Sequence, residues 1–131
     1  MKILIVEDDF FSRMVLKELM TPFGECDYAM NGKEAIAAFS MALSHHAPYD
    51  LICMDIMMPE MDGQEALKII RQMESERQIT GSHEVKVIMT TAISDPKSII
   101  EAYYQGGATS YLVKPISKAK LMAELKSFQL I

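Results

Sequence analysis

The chain is 131 residues long, half of them hydrophobic, with 18 acidic side chains against 13 lysines and arginines and a formal net charge of −5. That balance excludes an intrinsically disordered chain and argues against a sequence-blind nucleic-acid binder, which needs a clustered basic face. No apolar stretch approaches the ~20 residues of a membrane-spanning helix, and carboxylates follow the N-terminus too early for a signal peptide. The length fits one domain around one core. Cys26 and Cys53 lack metal-ligand spacing and read as reduced thiols of a cytoplasmic protein. The 12 methionines read mostly as adaptable core filler.

Ile3 to Val6 opens the chain as an apolar strand, and Phe11, Val15 and Leu19 share one face of a first helix. Pro22 and Gly24 close that helix. Cys26 to Met30 alternates in polarity, as a strand near a sheet edge does. Asn31-Gly32 opens a second helix carried by Ile36, Phe39 and Leu43. Leu51 to Met54 forms a third strand, followed by a helix on Leu67, Ile70 and Met73. Val85 to Met89 forms a fourth; Ser94-Asp95-Pro96 then starts a helix with Ile99, Ala102 and Tyr103, which Gly106-Gly107 ends. Tyr111 to Val113 is the fifth strand, and Leu121, Leu125 and Phe128 mark a last helix that runs to the end of the chain.

Unbroken apolar strands suit a parallel sheet covered on both faces. Five β-α units in sequence predict a doubly wound α/β fold, a five-stranded parallel sheet with five helices in three layers. No linker to a second domain is expected over 1–131. The stretches Ser44 to Pro48 and Met73 to Glu84 read as extended helix ends and solvated loops.

In such sheets ligands bind outside the carboxyl ends of the strands. Those ends carry Glu7, Asp8 and Asp9 after the first strand, Asp55 after the third, Thr90-Thr91 after the fourth and Lys114 after the fifth. Converging carboxylates repel unless a proton or cation neutralises them. Oxygen-only ligands select a hard ion such as Mg²⁺. Glu7, Asp8 and Asp9 equally suit solvated acids capping the first helix, and Asp9 fits that role best. Asp55 follows a buried strand directly. A cation, a lysine and a hydroxyl around one carboxylate suit transfer of a phosphoryl group onto that carboxylate.

Val6-Glu7-Asp8-Asp9, Met54-Asp55-Ile56-Met57-Met58-Pro59-Glu60-Met61-Asp62-Gly63, Thr91-Ala92 and Tyr111-Leu112-Val113-Lys114-Pro115 resemble the signatures of bacterial response-regulator receiver domains, the CheY-like family. The resemblance spans the whole chain and implies strand order 2-1-3-4-5. It implies Asp55 as phospho-acceptor, supplied by a sensor histidine kinase or a histidine phosphotransfer protein. Asp8 is then a direct Mg²⁺ ligand, Glu7 a ligand through water, and the Met57 backbone carbonyl a further ligand. Lys114 and Thr91 hold phosphoryl oxygens, and Lys114-Pro115 resembles the family's cis peptide. Gly63 suits a turn needing backbone freedom.

Thr91 and Tyr111 form the implied switch, read out by a protein effector in trans at the fourth helix, fifth strand and fifth helix, with Tyr104, Gln105, Tyr111 and Lys118 on that face. Met57 and Ile93 occupy positions that tune phosphoryl lifetime in the family; both are apolar here and unable to orient water. The resemblance thus implies a single-domain, chemotaxis-like regulator, cytoplasmic and monomeric, with dimerisation on activation left open. His45, His46 and His83 read as surface residues. A flavodoxin-like cofactor binder fits poorly, because the loop after the first strand carries three carboxylates rather than phosphate donors. An aspartate-based phosphohydrolase places a second acid where Met57 stands, and a docking-only pseudo-receiver does not need the intact acid, hydroxyl and lysine set.

Overall fold

The computed structural model describes residues 1–92 and 107–131. The strands are β1 (Lys2–Val6), β2 (Glu25–Ala29), β3 (Leu51–Asp55), β4 (Lys86–Thr91) and β5 (Ser110–Val113). They form one sheet in the order β2-β1-β3-β4-β5, every neighbouring pair parallel. Four α-helices lie among the described residues: α1 (Phe10–Met20), α2 (Gly32–Ser44), α3 (Gly63–Glu76) and α4 (Lys118–Ser127). The helix expected around Ile99, Ala102 and Tyr103 falls outside them. None of the helices described is long and apolar enough to cross a membrane.

Alternation splits each central strand between two cores. Leu4, Val6, Ile52, Met54, Val87 and Met89 meet α2 and α3 on one face. Ile3, Ile5, Leu51, Cys53, Ile88 and Leu112 meet α1 and α4 on the other. Both faces are therefore apolar, which is why β1, β3 and β4 read as continuous hydrophobic runs. The α1 face is turned from the expected one: Leu16 and Met20 are buried, whereas Phe11 is 75% exposed. Phe11 instead borders a groove with Val15, Pro115 and Ile116.

Each of these four α-helices starts on a side-chain cap. Asp9, Asn31, Asp62 and Ser117 accept from the backbone N–H three residues on, at 2.8, 2.9, 2.8 and 3.2 Å. These bonds satisfy amides that the first turn leaves without intrahelical partners. They also fix where α1 and α3 begin relative to the strand ends before them.

Two contacts hold α3 to the sheet. At its start, Gly63 is the first helical residue, and its amide donates to the Ile56 carbonyl at 2.8 Å. A β-carbon there would stand 2.3 Å from the Asp55 carbonyl oxygen and 2.8 Å from Met89 Cε. Close approach, not the backbone freedom expected of a turn, is the reason for glycine. Further along, Arg71 pairs with the buried Glu74 at 2.6 Å and donates to the carbonyls of Gly107 and Val85 at 3.0 and 2.9 Å. Glu74 also accepts from the Val85 amide at 2.7 Å. The end of α3 is thus tied to Val85, just before β4, by a buried ion pair, while the helix extends to Glu76 and the loop after it is mostly exposed, as expected. Ala47 is likewise held, by Lys2 Nζ at 2.7 Å.

Gly63→Ala is expected to lower stability by about 1–3 kcal/mol, the usual cost of overpacking. Urea unfolding measures it, and an unchanged midpoint would remove the close-approach argument.

Candidate functional site

Glu7, Asp8, Asp55 and Lys114 come together at the carboxyl ends of β1, β3 and β5. Glu7 follows Val6 directly, and its amide donates to the Ala29 carbonyl at 3.0 Å, which continues the sheet by one bond. Asp55 is the last residue of β3, held in register with Thr90 by the Ile56 amide on the Thr90 carbonyl at 2.9 Å. Asp55 Oδ1 accepts from the Met57 amide at 3.2 Å. Lys114 leaves β5 with its amide on the Thr91 carbonyl at 2.7 Å, and the Lys114-Pro115 peptide is cis.

Lys114 lies between two of these carboxylates. Its ammonium donates to Glu7 Oε2 at 2.8 Å and forms a longer ion pair, 3.4 Å, with Asp55 Oδ2. The physical reason is burial: Glu7 is 0% exposed, so its carboxylate has lost its water. An ionised group so placed requires a cation and hydrogen bonds. Glu7 Oε1 accepts from the Asp9 amide at 3.1 Å, and the Glu7 carbonyl accepts from Arg13 at 2.9 Å. The sequence left Glu7 open as a solvated capping acid; it is the most buried of the three. Asp9 is the cap, with its carboxyl held below the usual range by the Ser12 amide.

Burial pushes the Glu7 carboxyl above its usual range; the Lys114 hydrogen bond opposes this, and the Asp55 charge adds to it. Burial works against the charged lysine too, but the hydrogen bond it donates to Glu7 and the charge of Asp55 hold Lys114 above an ordinary amine. A protonated lysine thus stands between two carboxylates, with a third carboxylate exposed beside them.

Glu7, Asp8 and Asp55 each offer a carboxylate oxygen within 4.8 Å of the others. One lysine charge against three carboxylates leaves an excess of negative charge. The donor set is all oxygen, with no histidine or cysteine, and one member faces solvent. These residues fit a hard divalent ion that keeps some of its water.

Thr91 is 2% exposed at the end of β4. Alternation places it with Met89 on the α2/α3 face, where Tyr111 also packs. The two are therefore on one side of the sheet, and Asp55, which alternates with Cys53, is on the other. Met57 is exposed. Lys118 is exposed at the start of α4, and His45, His46 and His83 are exposed as expected. Ile93, Tyr104 and Gln105 lie outside the described residues.

With that geometry in place, comparison with known proteins decides the family. The family profile described as "Response regulator receiver domain" matches residues 3–126. The chain belongs to the response-regulator receiver family. It is 35% identical to the chemotaxis protein CheY of Bacillus subtilis over 92% of this chain and 91% of that protein. The crystal structure of Vibrio cholerae chemotaxis protein CheY4 is similar at a TM-score of 0.78 and 30% identity, covering 97% of both chains. A third similar structure is the receiver domain of Saccharomyces cerevisiae Ssk1, co-crystallised with the histidine phosphotransfer protein Ypd1. There the TM-score is 0.84 at 25% identity, with 100% of this chain and 92% of that chain covered. The receiver sheet order read from resemblance, 2-1-3-4-5, is the order observed.

Asp8→Asn removes the exposed charge of the receiver's acid cluster without disturbing the buried lysine pair. Titration of the metal-free protein with magnesium is expected to show affinity lowered by about tenfold or more, roughly the loss of one ionic ligand. Equal affinities in the two proteins would remove Asp8 from the ion site.

Proposed function

We propose that this receiver accepts a phosphoryl group on Asp55 from a phosphohistidine donor and signals to a protein effector. One observation carries the reading: a strand-borne carboxylate, 7% exposed, stands 3.4 Å from a lysine ammonium and within 4.8 Å of two further carboxylates. Transfer onto a carboxylate needs alignment and charge neutralisation rather than a strong base. An oxygen of Asp55 attacks phosphorus, the donor's P–N bond breaks, and the departing imidazole takes a proton. The product is an acyl phosphate on Asp55.

Asp8, Glu7 and Asp55, with the Met57 carbonyl, would hold Mg²⁺, which when bound supplies positive charge against the transferring oxygens. Lys114 is poised to follow the new charge, because its ammonium already lies between Glu7 and Asp55. Thr91 supplies a hydroxyl from the other side of β4 and, with Tyr111 on the same face, is the element whose position reports the phosphoryl group. Tyr111 and Lys118 belong to the effector face in this reading. Such a switch acts by population shift, so the effector must bind the two states with different affinity.

A groove of about 270 Å³ beside Lys114, lined by Phe11, Val15, Leu16, Pro115 and Ile116, supports a protein donor. Phe10 and Met14 are exposed on the same helix. A donor that presents histidine to Asp55 has to cover this rim, and exposed aromatic side chains mark such contacts. The Ssk1 receiver, similar over the whole of this chain, forms a complex with a phosphotransfer protein.

Intact-mass measurement after incubation with acetyl phosphate and magnesium tests the central step. Wild type is expected to gain one phosphoryl group and Asp55→Asn none; equal labelling would move the acceptor elsewhere. Phosphoryl loss is a separate matter. Met57 is 63% exposed beside Asp55 and offers no group that orients water. Met57→Asn is therefore expected to shorten the life of phospho-Asp55 by about threefold or more, the scale of a weak general-base or water-positioning effect. Following dephosphorylation after removal of donor measures it, and equal decay would refute a tuning role for position 57.

A further inference from the structure

Two threonines end β4, and alternation sends their hydroxyls to opposite faces. Thr91 goes with Met89 toward α2 and α3, whereas Thr90 goes with Ile88 toward α1 and α4. The Thr90 side is the Asp55 side. Thr90 is the register partner of Asp55, and adjacent strands lie only about 4.8 Å apart. Thr90 is 1% exposed, and its Oγ1 has no hydrogen-bond partner. Valine has the same shape without a group that demands one, so the hydroxyl is retained at a cost to the resting fold.

Lys114 starts from the end of β5 and reaches Asp55 on β3 and Glu7 on β1. Its stem must therefore cross β4, whose residue level with Asp55 on that face is Thr90. The ammonium has three N–H groups; one donates to Glu7 at 2.8 Å, and the Asp55 carboxylate stands 3.4 Å away as an ion pair. A buried hydroxyl with two lone pairs and no bond thus lies on the face of β4 that the lysine stem crosses.

We propose that Thr90 is a positioning residue for phosphoryl transfer: its hydroxyl takes an N–H of Lys114 as the lysine turns from Glu7 toward the group forming on Asp55. The proposal rests on the reading of Asp55 as acceptor. As phosphorus bonds to Asp55, negative charge accumulates over β3 and the Glu7 hydrogen bond is given up. The N–H so released, on a lysine whose side chain is 21% exposed, needs a new acceptor, and Thr90 offers one on the sheet side. Rotation about the Thr90 Cα–Cβ bond brings Oγ1 into use with no movement of the strand. Thr90 thus acts through Lys114 and touches no reacting atom.

The full chain, phosphorylated by acetyl phosphate with magnesium, provides the test. Thr90→Val is expected to slow phospho-Asp55 formation about fivefold to tenfold, the worth of one hydrogen bond, and Thr90→Ser to restore it. In a Lys114→Gln background, Thr90→Val is expected to add nothing. With magnesium and beryllofluoride bound, the Lys114 ammonium ¹⁵N resonance is expected to move in Thr90→Val and return in Thr90→Ser. Metal-free Thr90→Val is expected to melt at or above wild type, since it loses only an unpaired hydroxyl. Wild-type rates in Thr90→Val, an unmoved lysine resonance, additivity with Lys114→Gln, or a marked fall in melting temperature would each overturn the proposal. Failure of wild type itself to gain a phosphoryl group would instead overturn the reading of Asp55.

Discussion

The pairing of Lys114 with Glu7 governs the rest of this site. A carboxylate without solvent exposure would, if unpaired, take a proton or unfold its surroundings. The amine that prevents this arrives from 107 residues away in the chain, so the charge is compensated only once β1, β3 and β5 are in register. Buried ion pairs are poor sources of net stability, because desolvating both groups consumes most of their attraction. This one is better understood as a prepared electrostatic environment. It keeps a cation beside Asp55, yet bonded more closely to another residue, and leaves carboxylate charge to spare for a divalent ion. Perturbed groups in a strand-end cleft are a common mark of function.

The same economy of space explains the helix beneath Asp55. Gly63 lets α3 begin against the Asp55 carbonyl, and Arg71 with Glu74 anchors its later turns to β4 and to Gly107. Fixed at both places, α3 makes a firm wall behind Asp55. In the proposed reading, charge arriving on Asp55 is met by side chains that can reorient, chiefly Lys114 and the two threonines. Packed interiors respond to such changes by discrete rearrangement rather than gradual deformation.

Much of this was legible in the sequence, for identifiable reasons. Strands buried on both faces appear as Ile3 to Val6 and Leu51 to Met54, and their parallel arrangement follows from that pattern. Asp55 stood out because a charged residue directly after such a run has few structural uses. Asn31 and Asp9 announced helix starts through cap chemistry. What failed to show depends on contacts between distant segments. Nothing local distinguishes Glu7, buried, from Asp8, exposed; the difference arises where Lys114 crosses the sheet. Gly63 looked like a turn residue because its neighbours in space, the Asp55 carbonyl and Met89, are not its neighbours in sequence. Phe11 fitted the apolar stripe of α1, yet the helix turns Leu16 and Met20 inward and leaves Phe11 on the groove.

Thr90 shows the same limit from another side. Thr90-Thr91 reads as one polar step at a strand end, and the motif draws attention to the second residue. The sheet separates them: one hydroxyl is on the α2 and α3 side, and the other is on the side that carries Asp55. An unmet buried hydroxyl costs about 1–3 kcal/mol, a large fraction of the 5–15 kcal/mol that typically holds a domain together. A stability criterion alone would favour valine at position 90. In the proposed reading the site receives a doubly charged oxygen cluster and has a different criterion, because every donor that turns toward the newcomer abandons an old partner. Local polarity that is idle in the resting state is what such a site needs, and the register of β3 with β4 puts Thr90 where it can serve.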